Sequence, residues 1–476
     1  MILNRRNQWN HAMLALGLSL LIGTAWKLFP HPALVVVIGI LPFAILFALK
    51  KPFLMVLLFV VFSFFRIHEV FPQIYNFKIP LMLSLASLGA LIWHVGLTGE
   101  IKAYWRPELT TISLFFFMIA VGVLLASNRP IAIEYFKGVY WKIIVMTFAI
   151  AWLSRSARDF ELASRLITFA GLLVGLVALY NSANGIDLVE GTRVSIGRGI
   201  GSVLGDPNDL ALVLMFPAAF AASLIMTSGL GRFARCLGLI SALVLFFAVV
   251  ATQSRGGLLG IMTTFGFFGY RRFRSKTLFL SLAGLAAMSL FILAGISDRA
   301  SGGAAEAGID ASAMGRLYAW EAAFGMALDN PFTGVGISNF FSNYFFYSSH
   351  WDGLNHAVHS TWFGVLAEAG FLGLAVFIVT MVMLVKTSIR SLKIIERNLG
   401  LVDPAIHATA QAVLAGLLGT VISATFLTQG FTWPIYILLA LVVAVAHWVD
   451  LNLPPASTPG VTENQVGGAN HQDLAV

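Results

Sequence analysis

Charged residues and cysteine are both scarce in this chain. Of its 476 residues, 11% are Asp, Glu, Lys or Arg, whereas soluble domains carry about 25%. The one cysteine, Cys236, excludes an intramolecular disulfide framework and a zinc site built on cysteines. The low charge, combined with 58% hydrophobic residues, excludes a water-soluble fold, because this much apolar surface has to face lipid.

Long apolar runs follow one another from about residue 12 to residue 449. Their lengths predict an all-α polytopic membrane protein of about 12–14 transmembrane helices. Lys and Arg are concentrated in alternate short connections, which places both termini in the cytoplasm. The same bias accounts for the net charge of +8, so the charge does not indicate a nucleic-acid partner.

Two long connections fall on the opposite, periplasmic side, at 181–206 and 297–360. The second contains Met314–Leu328, whose apolar spacing predicts an interfacial helix on the membrane surface. Long ordered loops are often functional, so we expect the chemistry there. The predicted regions are an N-terminal transmembrane bundle (1–160), a catalytic transmembrane region (161–449) and a disordered cytoplasmic tail (450–476).

A histidine stands where the second long loop enters the next apolar run. The segment HSTWFGVLAEAGFLG contains His359 and Ser360, then nine residues, then Gly370 and Gly373. Histidine transfers protons near neutral pH, and a boundary position meets both lipid and water. The glycines predict a bend or close helix packing. The structural alternative is an interfacial histidine followed by Ser360 as a helix N-cap.

Four arginines lie on the periplasmic side near apolar sequence: Arg193, Arg198, Arg255 and Arg316. An arginine held near lipid is expensive unless it is paired, so each is a functional candidate. Guanidinium groups bind phosphate oxygens in bidentate fashion, and several together suit a diphosphate. The alternative, that these side chains snorkel to lipid headgroups, is weakest for Arg255, whose connection is very short.

No metal site is expected, although two segments invite one. His350, His356 and His359 have no carboxylate at an obvious ligand spacing. Asp206-Pro207 is a common helix start, with the acid as the cap and proline at the first helical position. Glu368 is an intramembrane acid that pairs with an arginine or lies near the interface with a raised pKa.

The chain resembles the O-antigen ligase and polymerase superfamily of bacterial inner-membrane glycosyltransferases. The matching segments are RGIGSVLGDPNDLAL, TQSRGGLLG, GRLYAWEAAFGMALDNPFTGVGISNF and HSTWFGVLAEAGFLGL. The ligase pattern of His-Ser followed after nine residues by Gly-x-x-Gly is met by His359, Ser360, Gly370 and Gly373. The likeness covers about residues 163–385.

The resemblance implies transfer of a glycan from undecaprenyl diphosphate to an acceptor hydroxyl at the periplasmic face, without a metal or other cofactor. The acceptor would be a lipid A-core sugar of lipopolysaccharide, another saccharide or a protein. His359 corresponds to the catalytic base, and Arg255, Arg316 and Arg198, with Arg193 as its close neighbour, to the groups that hold the donor diphosphate.

Two alternatives stay open at this stage. Within the class, a polysaccharide polymerase of the cell envelope joins repeat units while both remain on lipid carriers, and it would use the same residues. In a different class, a polysaccharide or lipid transporter would use arginines to guide an anionic substrate. That function predicts inverted repeats or paired broken helices, and the sequence has no such repeat.

Overall fold

The computed structural model describes residues 16–17, 19–20, 23–24, 26–27, 32–293, 311–351 and 353–454. In these residues the secondary structure is helical except for one two-stranded hairpin. The predicted all-α polytopic fold is confirmed. Most of the first apolar run, the loop residues 297–310 and the tail residues 455–476 lie outside the described residues.

The helices are numbered in chain order through the described residues. They are α1 Pro32–Lys50, α2 Pro52–Phe64, α3 Ile67–Val70, α4 Ile79–Leu91, α5 Pro107–Leu124, α6 Arg129–Tyr135, α7 Trp141–Leu153, α8 Ala157–Asn184, α9 Pro207–Met226, α10 Arg232–Thr252, α11 Arg255–Arg272, α12 Lys276–Leu293, α13 Ala311–Asp329, α14 Phe340–Tyr347, α15 Thr361–Arg397, α16 Pro404–Ser423 and α17 Trp433–Asn452. Strands β1 Leu188–Val189 and β2 Arg193–Val194 pair antiparallel between α8 and α9.

Nine helical segments within the described ranges are long and apolar enough to cross a membrane. Helices α1 and α2, which the sequence predicted as separate spans, are long and apolar enough only when taken together, and they meet at a bend of 100°. If this bent pair is one span, the count is ten. The predicted span at 256–270 forms α11, whose three arginines, at positions 255, 271 and 272, exceed the charge expected of a span. The predicted span at 277–295 forms α12, of which only Lys276–Leu285 counts as a shorter apolar helix. These three regions, with the undescribed first run, account for the difference from the predicted count.

Three helices form the centre of the bundle. The apolar windows of α9, α16 and α17 are 83%, 78% and 78% buried inside the protein, whereas the window spanning α4 is 11% buried. The central helices carry many small residues. Within lipid there is no hydrophobic force that drives helices together, so they associate through close backbone packing, which small residues allow. A Cβ on Gly260 of α11 would lie 1.9 Å from the sulfur of Met215 in α9, so only glycine permits this contact.

The basic connections lie together at one end of the bundle, here called the basic end. One cavity there is lined by Lys and Arg from the connections at 50–51 and 155–165, and ion pairs join further connections. Asp450 accepts hydrogen bonds from Arg106, at 2.5 Å, and from Arg390, at 3.5 Å. Arg271 pairs with Glu396. The opposite end, here called the loop end, carries the connections 185–206 and 330–360. The basic connections and the two long loops therefore lie at opposite ends of the bundle, as the charge pattern predicts.

One continuous core of buried side chains extends from α2 to α17. It includes residues on both sides of the predicted boundary at 160, so the two regions pack as one body within the described chain. The division into an N-terminal bundle and a catalytic region stays a prediction.

Candidate active site

His359 is held by a backbone fixed on both sides. Ser360 caps α15 by accepting a hydrogen bond from the amide of Phe363 at 3.5 Å, so the predicted N-cap is present. Thr361 donates its amide hydrogen to Ala424 O at 2.8 Å and its hydroxyl to Leu427 O at 2.7 Å. His359 itself adopts φ +45°, a left-handed conformation that is strained for a residue with a Cβ and is enriched at functional sites.

Helix α13 contacts the same backbone from the other side. The indole nitrogen of Trp320 donates to Val358 O at 3.0 Å, and its ring stacks on Phe363 with 5.0 Å between centroids. Arg316 lies one helical turn before Trp320 and therefore on the same face of α13. Its guanidinium carbon lies 5.8 Å from the centre of the Phe426 ring. The helix predicted over Met314–Leu328 is thus present, and it brings Arg316 to the histidine.

The N-termini of α9, α11 and α15 meet near His359. The turn between α16 and α17 joins two of them, because Leu427 O accepts from Thr361 and the side chain of Leu427 borders Gly256. A Cβ on Gly257 would lie 2.5 Å from that of Ala211 in α9. Helix N-termini carry partial positive charge and exposed N–H groups, so their convergence favours an anion.

Arg255 is the first residue of α11, directly after the N-cap Ser254. A cation there opposes the helix dipole, and the first turn of α11 has no acid to offset it. The next residue, Gly256, packs against Phe426 and Leu427 in the turn between α16 and α17. Arg316 of α13 lies over the Phe426 ring. Arg255 and Arg316 therefore border the same turn, one from α11 and the other from α13.

Arg193 is buried, with 4% of its surface exposed. Its Nε donates to Thr252 O at 3.1 Å and its Nη2 to Asn208 Oδ1 at 3.0 Å. These bonds place the guanidinium between the C-terminus of α10 and the N-terminus of α9. The hairpin of β1 and β2 supplies this position, because it turns the loop inward at residue 193.

Arg198 lies in an exposed turn of the same loop. Its backbone packs against Gly205, where a Cβ would lie 3.0 Å from Arg198 Cα. Ser202 in this turn donates to Glu69 at 2.5 Å, which ties the loop to α3. The resemblance implied this role for Arg198, with Arg193 as its close neighbour. The structure brings Arg193 rather than Arg198 into the buried junction.

The surroundings of His359 favour its neutral form. Burial is the largest effect and lowers the pKa of His359 from its ordinary value of 6.5, and Arg316 lowers it further. Asp206 raises the pKa, while Arg193 and His356 add smaller lowering effects. A neutral imidazole at neutral pH can accept a proton, which is the state that a general base requires.

Asp206 has a second role that the sequence did not indicate. As predicted, it caps α9, accepting from the amides of Asn208 at 2.7 Å and Asp209 at 3.4 Å. Among the described residues, it is also the acid that raises the pKa of His359. Only the folded chain shows this, because 153 positions separate the two residues and no local pattern links them.

Gly370 breaks α15 in the way its sequence allows. Its backbone has φ +69° and ψ −174°, and the turn after α13 inserts at this break. Phe371 N donates to Pro331 O at 2.8 Å, and Val335 N donates to Ala367 O at 2.8 Å. The break also crowds the next turn, where a Cβ on Gly373 would lie 2.4 Å from that of Ala369.

Glu368 contacts backbone amides at this junction. Its carboxylate accepts from Ser338 N at 2.9 Å and from Phe340 N at 3.0 Å. It therefore caps the start of α14 and fixes the turn against α15. This contact differs from the arginine pairing that the sequence left open, and it makes Glu368 a positioning group for the loop.

The other two histidines of the loop contact aromatic rings. His350 stacks on Tyr318 with 3.9 Å between centroids, and His356 meets Tyr344 edge-on at 5.5 Å. Within residues 32–293, 311–351 and 353–454, no group of three or more His, Cys, Asp or Glu side chains is arranged to hold a metal ion.

The fold defines a multi-pass membrane protein, and at its loop end a histidine lies among arginines. Residues 240–378 match the O-antigen ligase family. This match supports membership of the O-antigen ligase superfamily and confirms the resemblance drawn from the sequence. It includes Arg255, Arg316 and His359, whereas Arg193 and Arg198 precede it. No curated protein matches the chain. The family implies a membrane glycosyltransferase of ligase or polymerase type that acts on lipid-linked polysaccharide.

Proposed function

We propose that this protein transfers a glycan from undecaprenyl diphosphate to an acceptor hydroxyl at the periplasmic face of the bacterial inner membrane. The observation that carries the proposal is the position of His359 at the junction of three helix N-termini, where the charges of Arg316 and Arg193 act on its imidazole. A neutral base beside a concentration of positive charge suits an acceptor hydroxyl on one side and a diphosphate on the other.

In this mechanism the imidazole of His359 takes the proton from the acceptor hydroxyl as its oxygen attacks the anomeric carbon of the donor. The new bond joins the acceptor oxygen to that carbon, while the bond from the carbon to the diphosphate oxygen breaks. Its electron pair leaves with the lipid diphosphate. Arg255, Arg316 and Arg193 stabilise the charge that gathers there, as preorganised donors do in many transferases.

Supporting groups hold this arrangement in place. Ser360 and Thr361 fix the start of α15, and Trp320 fixes the backbone at Val358. Glu368 and the break at Gly370 fix the turn that follows α13. The isoprenoid tail of the donor remains in lipid, so a site at the mouth of a helix bundle needs to hold only the diphosphate and the first sugars.

The test is transfer from purified lipid-linked glycan to an added acceptor, in detergent with a chelator. His359→Ala should reduce transfer by roughly 10²–10⁴-fold, as the loss of a general base does, while donor binding persists. His350→Ala is the matched control and should retain transfer, because its ring stacks on Tyr318. Near-normal transfer by His359→Ala would show that His359 is not the general base.

The same assay separates a ligase from a polymerase. A ligase adds one preassembled glycan to an acceptor that carries no lipid diphosphate, which gives a single product. A polymerase extends one lipid-linked chain with another, which gives a ladder whose spacing is one repeat unit. We assign the ligase reaction, and a ladder formed with lipid-linked repeat units alone would establish the polymerase in its place.

A further inference from the structure

A cavity of about 550 Å³ opens at the basic end of the bundle, where α1, α2, α7 and α8 meet. The 100° bend between α1 and α2 lies directly beside it. Apolar side chains form much of its wall: Phe53, Leu54, Ile101, Leu153 and Leu162. Five cations border the same space: Lys50, Lys51, Arg155, Arg158 and Arg165. The cavity therefore combines an apolar interior with a positive rim.

The two acids that line the cavity are already engaged. Asp159 accepts from Ser156 N at 2.9 Å and closes the capping box of α8. Glu161 pairs with Arg165 through Nη2. Among the described residues, no carboxylate lies within ion-pair distance of Lys50, Lys51 or Arg158. The rim thus keeps a net positive charge that faces the cavity.

Arg165 also lines the cavity, and its side chain is 37% exposed. Guanidinium nitrogens bind phosphate oxygens in a fixed planar geometry, so this side chain can bind a phosphate in the cavity.

We propose that this cavity binds the headgroup of an anionic glycerophospholipid, with its acyl chains against the apolar wall. Basic pockets between transmembrane helices are suited to such headgroups, and the volume falls within the usual range for ligand sites, about 300–1,000 Å³. The site is distinct from the one at His359. The 28-residue helix α8 separates the two ends, a length of about 42 Å.

The apolar wall decides between a lipid and a free phosphate. A soluble phosphate would leave the leucine, isoleucine and phenylalanine surfaces exposed to water, whereas a phospholipid covers them. The occupant also contacts both sides of the bend between α1 and α2. It therefore fixes the angle at which α1 leaves the bundle.

The experiment measures binding of dioleoyl-phosphatidylglycerol to the full-length protein in detergent by native mass spectrometry. The variant K50Q/K51Q/R158Q removes three rim charges. Each cation near an anionic headgroup contributes about fivefold, so the loss of three should raise the dissociation constant roughly 100-fold. The matched control K386Q/K393Q/R397Q removes three exposed charges of α15 at the same end and should leave the dissociation constant unchanged.

Competition distinguishes the possible sources of phosphate. Phosphatidylcholine, inorganic phosphate and glycerol phosphate, each at the same concentration as the lipid, should not displace phosphatidylglycerol. Equal displacement by either soluble phosphate would overturn the lipid assignment. An equal loss of binding in both triple variants would reduce the effect to general surface charge and overturn the site. His359→Ala should bind the lipid normally, so this test is independent of the transfer reaction.

Discussion

Replacing Gly370 with alanine tests whether the break in α15 organises the site. The backbone at this position, with φ +69° and ψ −174°, is almost exclusive to glycine, and a Cβ there costs about 1–3 kcal/mol. That Cβ would also lie 2.5 Å from Pro331 O and 2.9 Å from the carbonyl carbon of Phe332. Overpacking of this kind adds about 1–3 kcal/mol, for a total of about 2–6 kcal/mol.

Both clashing atoms belong to backbone, so the clash can be relieved only by a shift of the turn at 331–335. We therefore expect a lower melting temperature in detergent and a weaker transfer activity, since the same turn positions α13 beside His359. Gly266→Ala is the matched control. Its Cβ would meet nothing within 4 Å, so its stability should stay within about 1 kcal/mol of the parent. Equal melting temperatures and equal activities for the two variants would refute the argument.

Three further predictions concern charge at the site. Asp206→Asn keeps the cap on α9 but removes the charge that raises the pKa of His359, so the acidic limb of the pH–transfer profile should move to lower pH. Arg316→Gln removes a charge that lowers this pKa, so the limb should move to higher pH and transfer at neutral pH should fall. Arg193→Lys should impair transfer about tenfold or more, because it loses two directed hydrogen bonds. Transfer by Arg198→Lys should stay within about twofold of the parent rate. The reverse order would assign the diphosphate to Arg198.

Hydropathy predicted most of the fold because each span satisfies its own backbone and needs only an apolar composition. The start of α9 after Asp206 and the helix Ala311–Asp329 followed from local signals, namely a cap with proline and a helical spacing of apolar residues. Glycine at position 370 indicated a bend, and the structure contains one. In each case a short stretch of sequence holds all the information that the element requires.

The composition of the site depended on contacts between distant segments, which local patterns do not encode. The choice between Arg193 and Arg198 rests on a two-residue hairpin that turns one inward and leaves the other exposed. The anchoring of Thr361 depends on a turn more than sixty residues later. The family likeness indicated His359 as the candidate base, but the groups that shift its pKa are brought together only by the packed helices.

The left-handed backbone of His359 has a consequence for how this protein balances stability against activity. Glycine would occupy φ +45° without strain, so replacement of this histidine by glycine should relax the backbone at position 359 and remove the proposed base. The wild-type chain is therefore less stable at position 359 than a sequence chosen for folding alone. Selection for stability in the absence of an acceptor would favour loss of this side chain, and its persistence in a population would report that transfer is under selection.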